Sequence, residues 1–311
     1  MPIRITAAIC THNRAALLSA AIESLLDQTL PPGDFEVLVI DNASTDATPQ
    51  IIQRYLDAVG SVTLRSAVQP VLGLSHARNL AVEMAAGEII TFLDDDAVAD
   101  PAWLEELLDA YTIHPEAWTV GGKVHPVWDG ERPVWLTDDL LPQLSMLDLG
   151  DAVRPLNMDE QLYGVNFSCR RQAFDEIGLF RSDLGRRGVT LLGSEESEFQ
   201  RRILQQGQIL IYTPHAIVKH RVMAERLQQR YFIRLAYGKG RTSARLMMAD
   251  ALQRSGIARR MVRSGFGVAR QWLTLGLHPF DKRKRLQCMR VAASWAGFTS
   301  EILIHGRGHH A

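Results

Sequence analysis

The sequence predicts an α/β fold: a mostly parallel sheet with helices on both faces, followed by a basic helical C-terminal extension. Short apolar runs recur at Ile3–Cys10, Phe35–Ile40, Val62–Ala67 and Ile89–Leu93, and helical periodicity separates them. Charge sets the extension apart. Residues 219–311 hold 19 Lys and Arg against 4 Asp and Glu, a net of +15 that leaves −16 for residues 1–218.

The elements follow in order. After the first run comes Thr11-His12-Asn13-Arg14. Leu17, Leu18, Ala21, Ile22, Leu25 and Leu26 then keep helical spacing until Pro31-Pro32-Gly33. The second strand ends at Asp41. Thr45 or Asp46 is expected to cap the helix that carries Ile51, Ile52, Tyr55 and Leu56. A helix over 75–86 is expected to close on Gly87 as its C′ residue. The fourth strand runs into Asp94-Asp95-Asp96, and Asp100-Pro101 starts another helix with Pro at N1. Trp118–Val124 reads as a strand and residues 125–160 as a long loop. Tyr163–Arg170 reads as a strand and Gln172–Ile177 as a short helix. Ser194 is the expected N-cap of a helix over Glu195–Gln206 closed by Gly207. Two short strands, Ile209–Tyr212 and Ile217–Lys219, end at His220, and the rest reads as helix.

Composition narrows the function classes. With 311 residues, 46% hydrophobic and 22% charged, the chain is neither disordered nor collagen-like. Cys10, Cys169 and Cys288 lie far apart without CxxC, which indicates neither a disulfide framework nor a zinc finger and fits a reducing compartment. The first residues do not read as a secretion signal, and no apolar run reaches the roughly 18–20 residues of a membrane span.

In a parallel sheet ligands bind beyond the carboxyl ends of the strands. Those ends carry Thr11–Arg14, Asp41 and Asp94–Asp96. Three consecutive carboxylates repel unless a cation compensates, and Mg²⁺ or Mn²⁺ takes oxygen ligands and bridges to phosphate. The plain alternative is a solvated acidic turn. Asp41 suits a nucleobase or ribose donor, though taken alone it reads more readily as a helix-capping or turn residue. Neither GxGxxG after the first strand nor GxxxxGK[ST] occurs, so phosphate has to be held by metal and by basic side chains such as Arg78.

Together these stretches resemble the family 2 glycosyltransferases, which have the Rossmann-like GT-A fold. The matching segments are 8–14 (AICTHNR), 37–46 (VLVIDNASTD), 74–80 (LSHARNL), 92–96 (FLDDD), 164–171 (GVNFSCRR) and 193–201 (GSEESEFQR). The resemblance implies inverting transfer from a nucleotide-diphosphate sugar, a UDP-sugar being the first choice, with Mn²⁺ or Mg²⁺. It implies a nucleotide-sugar-binding half over 1–98 and an acceptor-binding and catalytic half over 99–222 of one domain; charge and helical pattern mark the basic helical extension over 223–311.

It also assigns residues. Thr11, Asn13 and Asp41 line the nucleoside pocket, Arg14 and Asp95 stand beside it, and Arg78 lies near the ribose or diphosphate. Asp94 and Asp96 form the DxD pair, with Asp96 the direct metal ligand and Asp94 nearer the ribose. Asn166 sits in a strand bordering the donor sugar, and His220 is a further metal ligand. Glu196 is the expected general base, with Glu195 as fallback, because this chain has Glu-Glu where the family has Glu-Asp. Without the resemblance, both glutamates simply favour a helix N-terminus. Trp128 and Trp135 suit either sugar stacking or loop anchoring, the latter preferred.

On a helical wheel Ile257, Met261, Val262, Phe266, Val268, Trp272, Leu273 and Leu275 cover about half the circumference, opposite Arg259, Arg260, Arg263 and Arg270. With Lys282–Arg285 this describes an interfacial helix on anionic lipid. The expectation is therefore a cytoplasmic protein, peripheral on the inner membrane face, acting on a glycan or lipid-linked acceptor in surface polysaccharide or glycolipid synthesis. Nucleic acid is not an expected partner, since base-stacking aromatics are sparse. The alternatives are a sugar-nucleotide pyrophosphorylase, which lacks its glycine-rich loop here, and a non-catalytic nucleotide-sugar-binding protein.

Overall fold

The computed structural model describes residues 2–58, 60–188, 190–249, 256–277 and 281–305. The chain divides into two compact units. The first comprises residues 1–129, 138–188 and 195–222 and contains the sheet.

The four N-terminal strands are β1 (Ile5–Thr11), β2 (Phe35–Asp41), β3 (Thr63–Val68) and β4 (Ile89–Asp94), followed by β5 (Ala97–Ala99), β6 (Ala117–Trp128), β7 (Arg154–Pro155), β8 (Phe167–Arg170) and β9 (Ile209–Val222). Their order is β3-β2-β1-β4-β8-β6-β9-β5, with β7 on β9. The first four neighbours run parallel, β8 is antiparallel to β4 and β6, and β9 is parallel to β6. Helices α1 (Leu18–Leu26), α2 (Thr48–Asp57), α3 (Leu74–Met84), α4 (Trp103–Ile113), α5 (Arg171–Ile177) and α6 (Glu195–Gln205) belong to this unit. This is the mixed α/β architecture that the alternating pattern predicts.

β1, β2 and β4 are buried along nearly their whole length. Such strands read as unbroken apolar runs, which is why they are legible in sequence. Register aligns their tips: Thr11 lies opposite Asp41, and Cys10 opposite both Ile40 and Asp94. The polar residues after each run therefore share one edge.

Several boundaries differ from expectation. β6 continues to Trp128, into the expected loop, because it pairs with β9 to that point. β9 is one strand rather than two: Gly122 pairs with Thr213 and Val124 with Val218, so residues 214–217 bulge without ending it. His220 thus lies within a strand, not after one. β8 starts at Phe167, which leaves Asn166 in the preceding turn, its N–H donating to the Tyr163 carbonyl at 2.9 Å. Gly87 is not a left-handed helix cap. Its backbone passes so close to β1 that a Cβ would stand 2.7 Å from the Thr6 nitrogen. α4 begins at Trp103, after a turn in which Asp100 accepts from the Ala102 and Trp103 N–H groups. The N-cap of α2 is Ala47 rather than Thr45 or Asp46, though Asp46 Oδ1 accepts from the Thr48 N–H at 2.9 Å. Ser194 has φ of 70°, outside the extended region usual for an N-cap.

The second unit comprises residues 130–137, 189–194 and 223–311. Its long helices are α7 (Gln229–Ala249), α8 (Ile257–Leu277) and α9 (Lys282–His305). Backbones of α7 and α9 meet at glycine: a Cβ on Gly240 would strike the Ser294 carbonyl, and one on Gly297 the Tyr237 carbonyl. Glu301 is fully buried between them, accepting from Arg241 at 2.5 Å and Arg245 at 2.6 Å. Ile257 and Met261 of α8 pack on Ala244, Met247 and Phe298. Trp135 stands edge-on to Phe232 with ring centroids 5.3 Å apart, an anchor for its loop. Helix does run through most of the C-terminal region, while residues 250–255, 278–280 and 306–311 lie outside the described set.

Candidate active site

β4 ends at Asp94, and Asp95-Asp96 turn the chain directly into β5. The turn is fixed to β9, for the Arg221 N–H donates to the Asp96 carbonyl at 2.8 Å and Ala97 lies opposite His220. That pairing sets His220 Nε2 3.1 Å from Asp96 Oδ1, both side chains being almost wholly buried. His220 Nδ1 lies 3.1 Å from the Leu144 carbonyl oxygen. A carbonyl only accepts, so Nδ1 carries a proton. Nε2 then offers either a lone pair or a second proton to Asp96. Where it is the lone pair, a proton or a cation has to stand between these two acceptors.

Asp94 completes the group: one ligand atom from each of Asp94, Asp96 and His220 lies within 4.8 Å of the others. Two carboxylate oxygens and an imidazole nitrogen suit Mn²⁺ or Mg²⁺. A carbonyl that fixes the histidine tautomer is a usual support for a metal-binding imidazole. The residues present therefore fit a divalent cation. Asp95 turns instead towards Arg14, 3.7 Å away. Burial and then the charge of Asp96 push Asp95 up to about 7, against the opposing pull of Arg14.

Arg78 projects from α3 and is 3% exposed. Its guanidinium donates to Glu195 Oε1 at 2.7 Å and to the Gly164 carbonyl at 3.2 Å, and lies 3.5 Å from Asp94 Oδ1. Phe92 and Phe180 flank it, with ring centroids 5.4 and 6.0 Å away. A Cβ on Gly164 would collide with the guanidinium. Burial works against the charge on Arg78, but Glu195 and Asp94 overcome it and raise its pKa.

Glu195 and Glu196 open α6, in the half-turn where the helix dipole favours carboxylates. Their surroundings differ. Glu195 is 2% exposed and ion-paired. Burial and then the Glu196 charge press it towards its neutral form, and Arg78 opposes them. Glu196 is only half-buried.

One strand over, Thr11 and Asp41 are buried at the tips of β1 and β2. Asp41 Oδ1 accepts from the Ser44 N–H at 3.0 Å. Asn13 has φ of 54°, and its Oδ1 accepts from the N–H groups of Thr45 and Asp46 at 2.7 and 3.2 Å. Asn13 thus shapes the loop after β2. Asn166 is fully buried: it accepts from Trp103 Nε1 at 2.9 Å and donates to the carbonyls of Lys123 and Ala216 at 3.1 and 2.8 Å. Its side chain joins β6, β9 and α4.

The structure therefore gathers Asp94, Asp96, His220, Arg78 and Glu195 into one continuous cluster, with Arg14 and Asp95 beside it. Sequence reasoning missed Asn42, which donates to the carbonyls of Gln69 and Val71 at 3.0 and 2.8 Å and accepts from the Gly73 N–H at 2.7 Å, fixing the approach to α3. Its position beside Asp41 was the available signal. The Leu144 carbonyl and the close approach at Gly164 had none.

The family model of glycosyl transferase family 2 matches residues 6–178. The chain is 27% identical over 245 residues to a glucosyl-dolichyl phosphate glucuronosyltransferase of Haloferax volcanii, covering 76% of this chain and 75% of that protein. Among solved structures it resembles the mannosyltransferase PcManGT of Pyrobaculum calidifontis, in complex with GDP-Man and Mn²⁺, with a TM-score of 0.64, 20% identity and coverage of 97% and 89%. It also resembles S. aureus TarS 1–349 in complex with UDP, with a TM-score of 0.53, 15% identity and coverage of 99% and 92%. These likenesses give the GT-A fold.

Proposed function

The chain belongs to glycosyl transferase family 2, and from that premise we propose that it moves a sugar, with inversion, from a nucleoside-diphosphate sugar to a hydroxyl of a glycan or lipid-linked acceptor. One observation carries the reading: a cation site of Asp94, Asp96 and His220 beside a buried arginine and the start of the helix that bears Glu196. The neighbours with GDP-Man and with UDP support a nucleoside-diphosphate donor. A UDP-sugar remains our first choice of donor. The family match leaves the pyrophosphorylase alternative without support.

The chemistry divides among the residues. Asp96, Asp94 and His220 would hold Mn²⁺ or Mg²⁺, and the bound ion supplies positive charge to the departing diphosphate. Arg78 adds fixed positive charge next to it, and Arg14 is a second source. Thr11, Asp41 and Asn13 shape the nucleoside end, while Asn166 braces the strands around the sugar. Glu196 takes the proton from the acceptor hydroxyl as that oxygen bonds to the anomeric carbon. The bond to the diphosphate breaks with its electron pair. Proximity of a correctly placed carboxylate is the requirement, and Glu196 is the carboxylate not committed to Arg78.

We place the protein at the inner membrane face, engaged through the second unit. No described helix is long and apolar enough to cross a membrane. α8 instead leaves Val262, Phe266 and Leu273 exposed at 57%, 73% and 74%. At 100° per residue they form one stripe, and Arg259, Arg263 and Arg270 form the next. Ile257 and Met261 occupy the face packed on Phe298, so the wheel's apolar half divides into a packed side and an open side. The relative named for a glucosyl-dolichyl phosphate supports a lipid-linked acceptor.

The test is a screen of UDP-, GDP- and dTDP-sugars with Mn²⁺. A stabilising donor identifies the nucleotide. Turnover should release nucleoside diphosphate without pyrophosphate and stop in EDTA.

A further inference from the structure

Glu195 and Glu196 are neighbours in sequence with different surroundings. A base has to meet an acceptor that arrives from solvent. Glu195 is 2% exposed, one oxygen is taken by Arg78, and Oε2 is buried with no hydrogen-bond partner. A buried carboxylate oxygen left unpaired costs free energy, and the 2.7 Å ion pair with Arg78 is what offsets that cost and favours the charged form.

That charge acts on Arg78. The guanidinium has two carboxylates within reach, Glu195 at 2.7 Å and Asp94 at 3.5 Å, and it lies closer to Glu195. The Gly164 carbonyl holds the same nitrogen that faces Asp94, at 3.2 Å. If the Glu195 charge were removed, a buried arginine would be left with Asp94 as its nearest counter-charge. An unpaired buried charge is costly enough to drive that rearrangement. A tight pair with arginine would compete with the cation for the Asp94 carboxylate.

We infer that Glu195 is a positioning residue: it holds Arg78 back from Asp94 and so keeps Asp94 available as a metal ligand. The inference rests on the metal-dependent transferase reading above. It separates the two glutamates, one setting the electrostatics of the cation site and the other taking the proton.

The test measures Mn²⁺ uptake by the full-length protein, reading unbound Mn²⁺ by electron paramagnetic resonance without turnover. Glu195→Gln should weaken Mn²⁺ binding by about tenfold, the low end of what supporting groups around metal ligands contribute. Glu196→Gln should leave it at the wild-type value. The double variant Arg78→Met with Glu195→Gln removes both charges of the pair and should restore near-wild-type affinity, because nothing then competes for Asp94. It also keeps the inference testable if Glu195→Gln alone folds poorly. Wild-type affinity in Glu195→Gln, or a double variant as weak as that single one, would overturn the inference and leave the transferase reading standing. Failure of the wild type to bind Mn²⁺ would overturn both.

Discussion

His220 Nε2 stands 3.1 Å from Asp96 Oδ1, although the two residues lie on different strands and 124 positions apart in sequence. The contact follows from β9 running unbroken past its bulge to Val222, which sets His220 opposite Ala97. The acidic turn after β4 and a histidine from the far side of the sheet thus come together as one candidate cation site.

Substitution at this contact should show in metal binding before it shows elsewhere. His220→Ala should weaken Mn²⁺ binding by at least about tenfold, and Asp96→Ala by at least about a hundredfold, since supporting groups alone are worth 10–100-fold. Calorimetric titration of Mn²⁺ into each variant checks this. Unchanged affinity in both would remove the site.

Gly164→Ala probes the Arg78 cradle without touching a charge. The added Cβ would strike the guanidinium, which is pinned between Phe92, Phe180 and Glu195. Overpacking of this kind costs about 1–3 kcal/mol. Thermal unfolding should reveal the loss, and KM for the donor should rise together with it. A wild-type Tm with wild-type KM would mean that Arg78 has room to move.

Much of this was legible in the chain. β1, β2 and β4 are buried on both faces and announce themselves as apolar runs, and the residues that follow them mark the edge where the candidate site lies. The second half of the sheet was not legible in the same way. β6 and β9 pair over a bulge between Gly122 and Val124, and a bulge breaks the alternation by which a strand is read. Asn166 and Gly87 show another limit. The family resemblance sets Asn166 by the donor sugar, and its residue type makes Gly87 a helix cap; three hydrogen bonds in the core hold the Asn166 side chain, and a close backbone approach explains Gly87. Both constraints are set by distant segments.

The Arg154–Glu160 pair predicts a pH dependence. Hydrogen bonds from Arg154 and from the Asn157 N–H hold Glu160 down at about 2, below its ordinary 4.5. A depressed carboxylate stabilises the fold fully above its ordinary value, and that stabilisation is lost as pH falls through the folded one. Glu160→Gln should therefore be less stable than wild type at pH 7. The gap should narrow between 4.5 and about 2 and close below that. Urea unfolding across this range checks it, and a gap that widens on acidification would contradict the assignment.

Membrane engagement should depend on the open side of α8. Changing Phe266 and Leu273 to Ser should lower partitioning onto anionic vesicles by about tenfold or more, given roughly 1.5–3 kcal/mol for a fully buried side chain and partial burial here. Binding should also fall with added NaCl, because each arginine near the surface contributes about 1 kcal/mol at low salt. Co-sedimentation with phosphatidylserine vesicles measures both. Salt-independent binding, or none by the wild type, would contradict the surface reading.

In the proposed glycosyl transfer, Glu196 removes the proton of the acceptor hydroxyl. The most direct measurement compares wild type and Glu196→Gln, with the donor found by the nucleotide-sugar screen, for donor Kd and kcat together. Glu196→Gln should leave Kd unchanged and lower kcat by about 10²–10⁴, the range for loss of a positioned base. A Glu196→Gln enzyme that turns over at the wild-type rate would contradict it.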